Sequence, residues 1–116
     1  MKHIGPSASG HRGIEWEVPD GKERRETRRI ICDELSLGEF RVESRELYLG
    51  IIARMKEEEC DAAALVCTEI PLPVTPDISP LPLLDSTRLL AVAAVEAALG
   101  EREMPVRRGG LFAVEA

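Results

Sequence analysis

The stretch Leu65-Val66-Cys67-Thr68-Glu69-Ile70-Pro71-Leu72 decides how this chain is read. It closes an apolar run, Ala62 to Val66, and then breaks into a thiol, a hydroxyl and a carboxylate. Pro71 and Pro73 stop any regular element beyond it. That is the pattern of a buried parallel strand that delivers a functional group at its carboxyl end, where open α/β sheets bind ligands. A thiol in that position is a candidate for nucleophilic or acid–base work, because it ionises more readily than any hydroxyl. The plainer reading is that Cys67 is a small buried apolar residue, as free cysteines usually are.

Working outward from this centre, Leu81–Leu84 is a short apolar strand and Asp61–Val66 a strand expected to be covered on both faces. Upstream, Val42–Glu59 predicts a helix whose buried stripe is Tyr48, Ile51, Ile52 and Met55, spaced i, i+3, i+4, i+7. Arg45 in its first turn reads as an exposed helix charge. Before it, Asp20 as N-cap with Glu23 at N3 predicts a helix to about Leu35, its apolar face formed by Thr27, Ile30, Ile31 and Leu35. Gly13–Pro19 alternates Ile14, Trp16 and Val18 with Glu15 and Glu17, which predicts an edge strand with one wet face. Downstream, Asp85-Ser86-Thr87 caps a last helix that runs to Leu99 and stops at Gly100. That helix is apolar on most faces and should be packed on more than one side. Residues 1–12 read as a flexible leader, 13–100 as the folded domain and 101–116 as a tail. The order β-α-α-β-β-α predicts an α/β layered fold with a small, mainly parallel sheet.

The composition narrows the function classes. One domain is the natural expectation for 116 residues. Aromatics are only 3%, so the core must be aliphatic. A formal net charge of −6 with no basic stripe disfavours nucleic acid and anionic membranes as partners. Cys32, Cys60 and Cys67 form an odd set without a C-x-x-C, which suggests neither a disulfide framework nor a zinc site and fits a reducing cytoplasm. His3 and His11 both lie in the leader. No apolar stretch is long enough to span a bilayer, and Met1–Arg12 lacks the apolar core of a signal peptide.

From Gly13 to Gly100 the chain resembles the second half of the cofactor-independent aspartate/glutamate racemases. The resemblance is carried by Cys67-Thr68-Glu69-Ile70-Pro71-Leu72, like that family's second cysteine motif. It is supported by Ile14–Asp20, Gly38-Glu39-Phe40, Ser44-Arg45 with Tyr48, and Leu81-Pro82-Leu83-Leu84-Asp85-Ser86-Thr87. It implies one of two pseudo-symmetric α/β domains that enclose an active site between them, each bringing one cysteine. One thiolate removes the α-proton of an amino acid and the opposite thiol returns a proton to the other face, with no pyridoxal phosphate or metal. Thiols suit this work, because two-base inversion needs an acid and a base of similar pKa on opposite sides of one carbon.

By this resemblance Cys67 is the second catalytic thiol, Thr68 binds the substrate carboxylate, and Glu69 helps set the protonation of the thiol. Asp85 lies near the end of its strand, where a helix-capping role is the better reading. The chain departs from the family in matching its second half only, so it is expected to be a half-enzyme that needs a first-half partner chain or self-association. Val66 and Glu59 stand where the family prefers Gly, and Leu37 where some aspartate-specific members carry Lys. Val66 is therefore expected to crowd the site. Cys32 and Cys60 fall in regular elements and do not replace the first thiol. Two alternatives remain: a single-cysteine decarboxylase of the same superfamily, and a truncated, non-catalytic module that self-associates.

Overall fold

The computed structural model describes residues 14–104, so the leader up to Gly13 and the tail from Pro105 onward lie outside the described residues. The elements are α1 (Gly21–Asp33), a single 3-10 turn (Leu35–Leu37), α2 (Val42–Glu57), β1 (Ala63–Leu65), β2 (Leu83–Asp85) and α3 (Ser86–Ala98). Strands β1 and β2 pair in parallel, with Ala63, Ala64 and Leu65 opposite Leu83, Leu84 and Asp85. This is the α/β class with a parallel sheet that the sequence predicts.

Local chemistry sets the ends of the helices. At α1, Asp20 Oδ1 accepts the Glu23 N–H at 2.8 Å while Glu23 Oε2 accepts the Asp20 N–H at 3.2 Å. Two of the unpaired donors at a helix start are thereby satisfied reciprocally. The chain turns after α1 at Gly38, which adopts φ 78°. The left-handed conformation there suits a residue without a Cβ. Asp85 ends β2 and caps α3, accepting the Thr87 and Arg88 N–H groups at 3.1 and 3.2 Å.

Helices α1 and α2 form an antiparallel pair. Glu23 at the start of α1 holds Arg54 near the end of α2, with Arg54 Nε donating to Glu23 Oε1 at 2.8 Å. At the other end Glu34, just past α1, accepts the Ser44 hydroxyl at 2.5 Å. Between these ties, Ile30, Leu35, Tyr48 and Ile52 pack with Ala63 of β1. Val74 and Leu81, from the long β1–β2 connection, close the same cluster. Ile30 is 0% exposed. Full burial of such a side chain contributes about 1.5–3 kcal/mol.

The structure corrects several expectations. Of the expected strand Gly13–Pro19, Ile14–Pro19 does not join the sheet, which has two strands among the described residues. Alternation prepares the faces of a strand but supplies no neighbour to pair with. Strand β1 is covered on one face only: Ala63 and Leu65 are buried while Ala64 is exposed. The central strand is also shorter than Asp61–Val66, and the downstream strand begins at Leu83 rather than Leu81. Finally, α3 buries no residue, although its sequence asks for packing on more than one side. Leu89, Leu90, Val92, Val95 and Leu99 are all exposed. Ser86 Oγ ties the start of α3 back to the Leu65 carbonyl at 3.1 Å.

Candidate active site

Cys67 follows β1 after one intervening residue, Val66, and opens a bend that runs through Glu69. The chain bends there because the prolines at 71, 73 and 76 forbid a helix or a further strand. It is held by short turns: the Leu72 N–H donates to the Glu69 carbonyl at 3.0 Å, and the Val74 N–H to the Ile70 carbonyl at 3.0 Å. Cys67 is a free, half-buried thiol whose Sγ accepts the Ile70 N–H at 3.2 Å. That donor fixes one side of the sulfur, so a proton on it must point elsewhere. The thiol therefore stands at the carboxyl end of a parallel strand, oriented by backbone.

Thr68 is exposed and Glu69 half-buried, both within the same bend. Neither side chain makes a hydrogen bond or ion pair among the described residues. The bend thus brings Cys67, Thr68 and Glu69 together along the chain, with Ile70 as the group in contact with the sulfur. Val66, the residue before the thiol, is 79% exposed. Cys32 is exposed on α1. Cys60 lies between α2 and β1, at the amino end of the strand, with its Sγ 3.8 Å from Glu17 Oε2. It is therefore not within a regular element, as expected from sequence, but it is still remote in topology from the carboxyl end. Among the described residues, Cys67 is the one thiol beyond the carboxyl end of a strand.

Helix α2 backs this region. It ends at Glu57, shortly before β1 begins at Ala63, and its Tyr48 and Ile52 lie in one buried cluster with Ala63. Tyr48, the seventh residue of α2, is buried, with its hydroxyl donating to the Thr27 carbonyl at 3.2 Å. Burial pushes its phenol above the usual value, with a smaller upward contribution from the charge of Cys67. Tyr48 is therefore a neutral neighbour of the thiol, not a second acid–base group.

Two features escaped the sequence reading. Glu34 is 2% exposed, yet carries a carboxylate. The Ser44 hydroxyl at 2.5 Å holds its carboxyl below the ordinary range, aided by Arg29 at 3.0 Å and Arg41 at 3.9 Å. Nothing in the pattern around Glu34 marks it, since its closest partner, Ser44, lies across the α1–α2 turn. Arg45 is half-buried rather than the exposed helix charge expected. It lines an open groove of about 530 Å³ with Phe40, Arg41, Leu72, Asp77 and Ile78. Its position three residues before the buried Tyr48 borders the apolar stripe of α2, and this spacing was the available signal.

No family model matches the sequence. Among solved structures, the fold resembles the crystal structure of a candidate Asp/Glu racemase from Yersinia pestis, with a TM-score of 0.74 and 34% sequence identity over 78% of this chain. The present chain spans 40% of the length of that one. The α/β fold described above is thus that of a racemase-like domain.

Proposed function

We propose that this chain provides one catalytic thiol, Cys67, of an amino-acid racemase of the aspartate/glutamate type. The observation that carries the reading is the position of Cys67, just past the carboxyl end of a parallel strand, in a fold like that of the Yersinia pestis protein. In the proposed reaction a thiolate takes the α-proton from one face of the substrate, and a thiol on the opposite face donates its own. The charge left on the α-carbon is consumed by the second transfer, so the proton count balances and neither pyridoxal phosphate nor a metal is required. Thr68 offers a hydroxyl and a backbone N–H to the substrate carboxylate. Glu69, adjacent in the bend, influences when the thiol carries its proton. Reduced thiols of this kind suit the cytoplasm.

Inversion needs a second group on the far side of the α-carbon, which Cys67 cannot supply alone. The proposed source is a further α/β domain with its own thiol, as a partner chain or adjoining segment, docked against the bend. The exposed apolar side of the domain favours a docked partner of this sort. It favours equally a second reading in which the domain only self-associates and performs no chemistry.

The test is incubation of L-aspartate and L-glutamate with the chain in D₂O, read by chiral chromatography and by NMR of the α-position. We expect no measurable inversion by the chain alone. Adding a separately expressed first-half domain of an aspartate/glutamate racemase should restore inversion, and Cys67→Ser should lower it by about 10²–10⁴-fold, the usual loss for one acid–base group. If the complemented chain neither inverts nor deuterates either amino acid, the racemase reading fails and the self-associating module stands.

A further inference from the structure

The groove beside the start of α2 is built from two walls. One is the turn and first helical residues Phe40, Arg41 and Arg45; the other is the proline loop from Leu72 to Ile78. Its volume of about 530 Å³ is within the range of small-ligand sites. Two opposite charges line it without meeting. Arg45 is half-buried and makes no side-chain hydrogen bond or ion pair among the described residues. Asp77, on the facing loop, likewise forms no ion pair among the described residues. Thr75, two residues before it, holds the Asp77 carboxyl below the ordinary range, so it stays ionised.

Arg41, the other cation in the groove, is already committed, to Glu39 at 2.9 Å and Glu34 at 3.9 Å. Phe40, Leu72 and Ile78 leave apolar surface exposed along the same groove. An arginine that is partly withdrawn from water and unpaired recognises a carboxylate in a forked geometry. An ionised carboxylate opposite it recognises an ammonium and repels a second anion. From this arrangement we propose that the groove binds an α-amino acid with an apolar side chain, its carboxylate on Arg45, its ammonium toward Asp77 and its side chain on Phe40, Leu72 and Ile78.

This site does not include Cys67, so the inference is independent of the racemase reading. A dicarboxylic amino acid is the poorer ligand, because its second carboxylate would lie on the apolar wall of Phe40, Leu72 and Ile78.

The experiment is a titration of the isotope-labelled full chain with L-leucine, followed through backbone amide shifts. Saturable shifts are expected at Phe40, Arg45, Leu72 and Ile78. Leucinamide lacks the carboxylate and N-acetyl-leucine the ammonium; each should bind about tenfold more weakly or worse, as should leucine to R45Q or D77N. C67S should bind leucine as the parent does. Phe40→Ala, a change in the exposed wall, should also weaken binding and serves if a charge variant fails to fold; the amide spectrum itself reports folding. No saturable shift, equal binding of leucinamide or N-acetyl-leucine, or loss of binding in C67S would each overturn the proposal.

Discussion

Two single residues hold energy that a change can release or remove. Glu59 is the one described non-glycine residue with a left-handed backbone, at φ 67°. It ends the α2 turn where its carbonyl-side sterics disfavour any Cβ, at a cost of roughly 1–2 kcal/mol. Part of that is offset in Glu59→Gly by the greater freedom of the unfolded glycine, so a net gain of about 0.5–1 kcal/mol is expected. A urea or thermal melt measures it; an unchanged or lowered midpoint would contradict the strain. Glu34 works in the opposite sense. Its carboxyl is held low in the fold by Ser44 first, then by Arg29 and Arg41. A depressed carboxylate contributes stability above its unfolded pKa and loses it as pH falls through the folded value. The stability gap between the parent and Glu34→Gln should therefore be widest at neutral pH and close below about pH 4. A gap independent of pH would show that Glu34 acts by packing and not by charge.

The elements divide by what holds them. Helices α1 and α2 share the core of Ile30, Leu35, Tyr48 and Ile52 and are tied at both ends by ion pairs or hydrogen bonds. Helix α3 is held by its Asp85 cap and the Ser86–Leu65 hydrogen bond at its start, with a local Glu96–Arg102 ion pair at its far end. Amide exchange should therefore be fastest in α3 among the three helices, and Asp85→Ala should accelerate it at a cost of about 1 kcal/mol, typical of a lost cap. Protection of α3 equal to that of α2 would mean that something covers it in solution. This division also separates what the sequence disclosed from what it withheld. The Asp20–Glu23 box, the stripe of Tyr48, Ile51 and Ile52, and the thiol beyond a strand's end were legible, because each is written in local spacing. Ile14–Val18 was misread as a strand because alternation describes two faces and says nothing of a partner. Arg45 and Asp77 were missed as a pair because nothing local links α2 with the proline loop.

At the scale of the whole molecule, the sheet divides a made core from an unmade one. Ala63 packs with residues of α1 and α2 and Leu65 is buried, whereas Ala64 and its cross-strand partner Leu84 are both exposed. Helix α3 adds Leu89, Leu90, Val95 and Leu99 to the exposed apolar surface, Leu90 at 73% exposure. Soluble monomers rarely leave contiguous apolar surface of more than a few hundred Å² open to water, and burial is worth about 25 cal/mol per Å². Covering part of such a surface by a second copy, with roughly 800 Å² per partner, gives a stable interface. The chain in isolation is therefore expected to associate, with an apparent mass by light scattering that rises with concentration above that of a 12.8 kDa monomer. Salt separates the causes: hydrophobic association survives high ionic strength, whereas pairing through charges weakens as the Debye length shrinks. Leu90→Lys combined with Val95→Lys should return the chain to a monomer without lowering its melting point, because neither side chain is buried within the fold. A monomeric parent at high concentration would mean that the chain covers this surface itself. A variant that stays associated would move the interface away from α3.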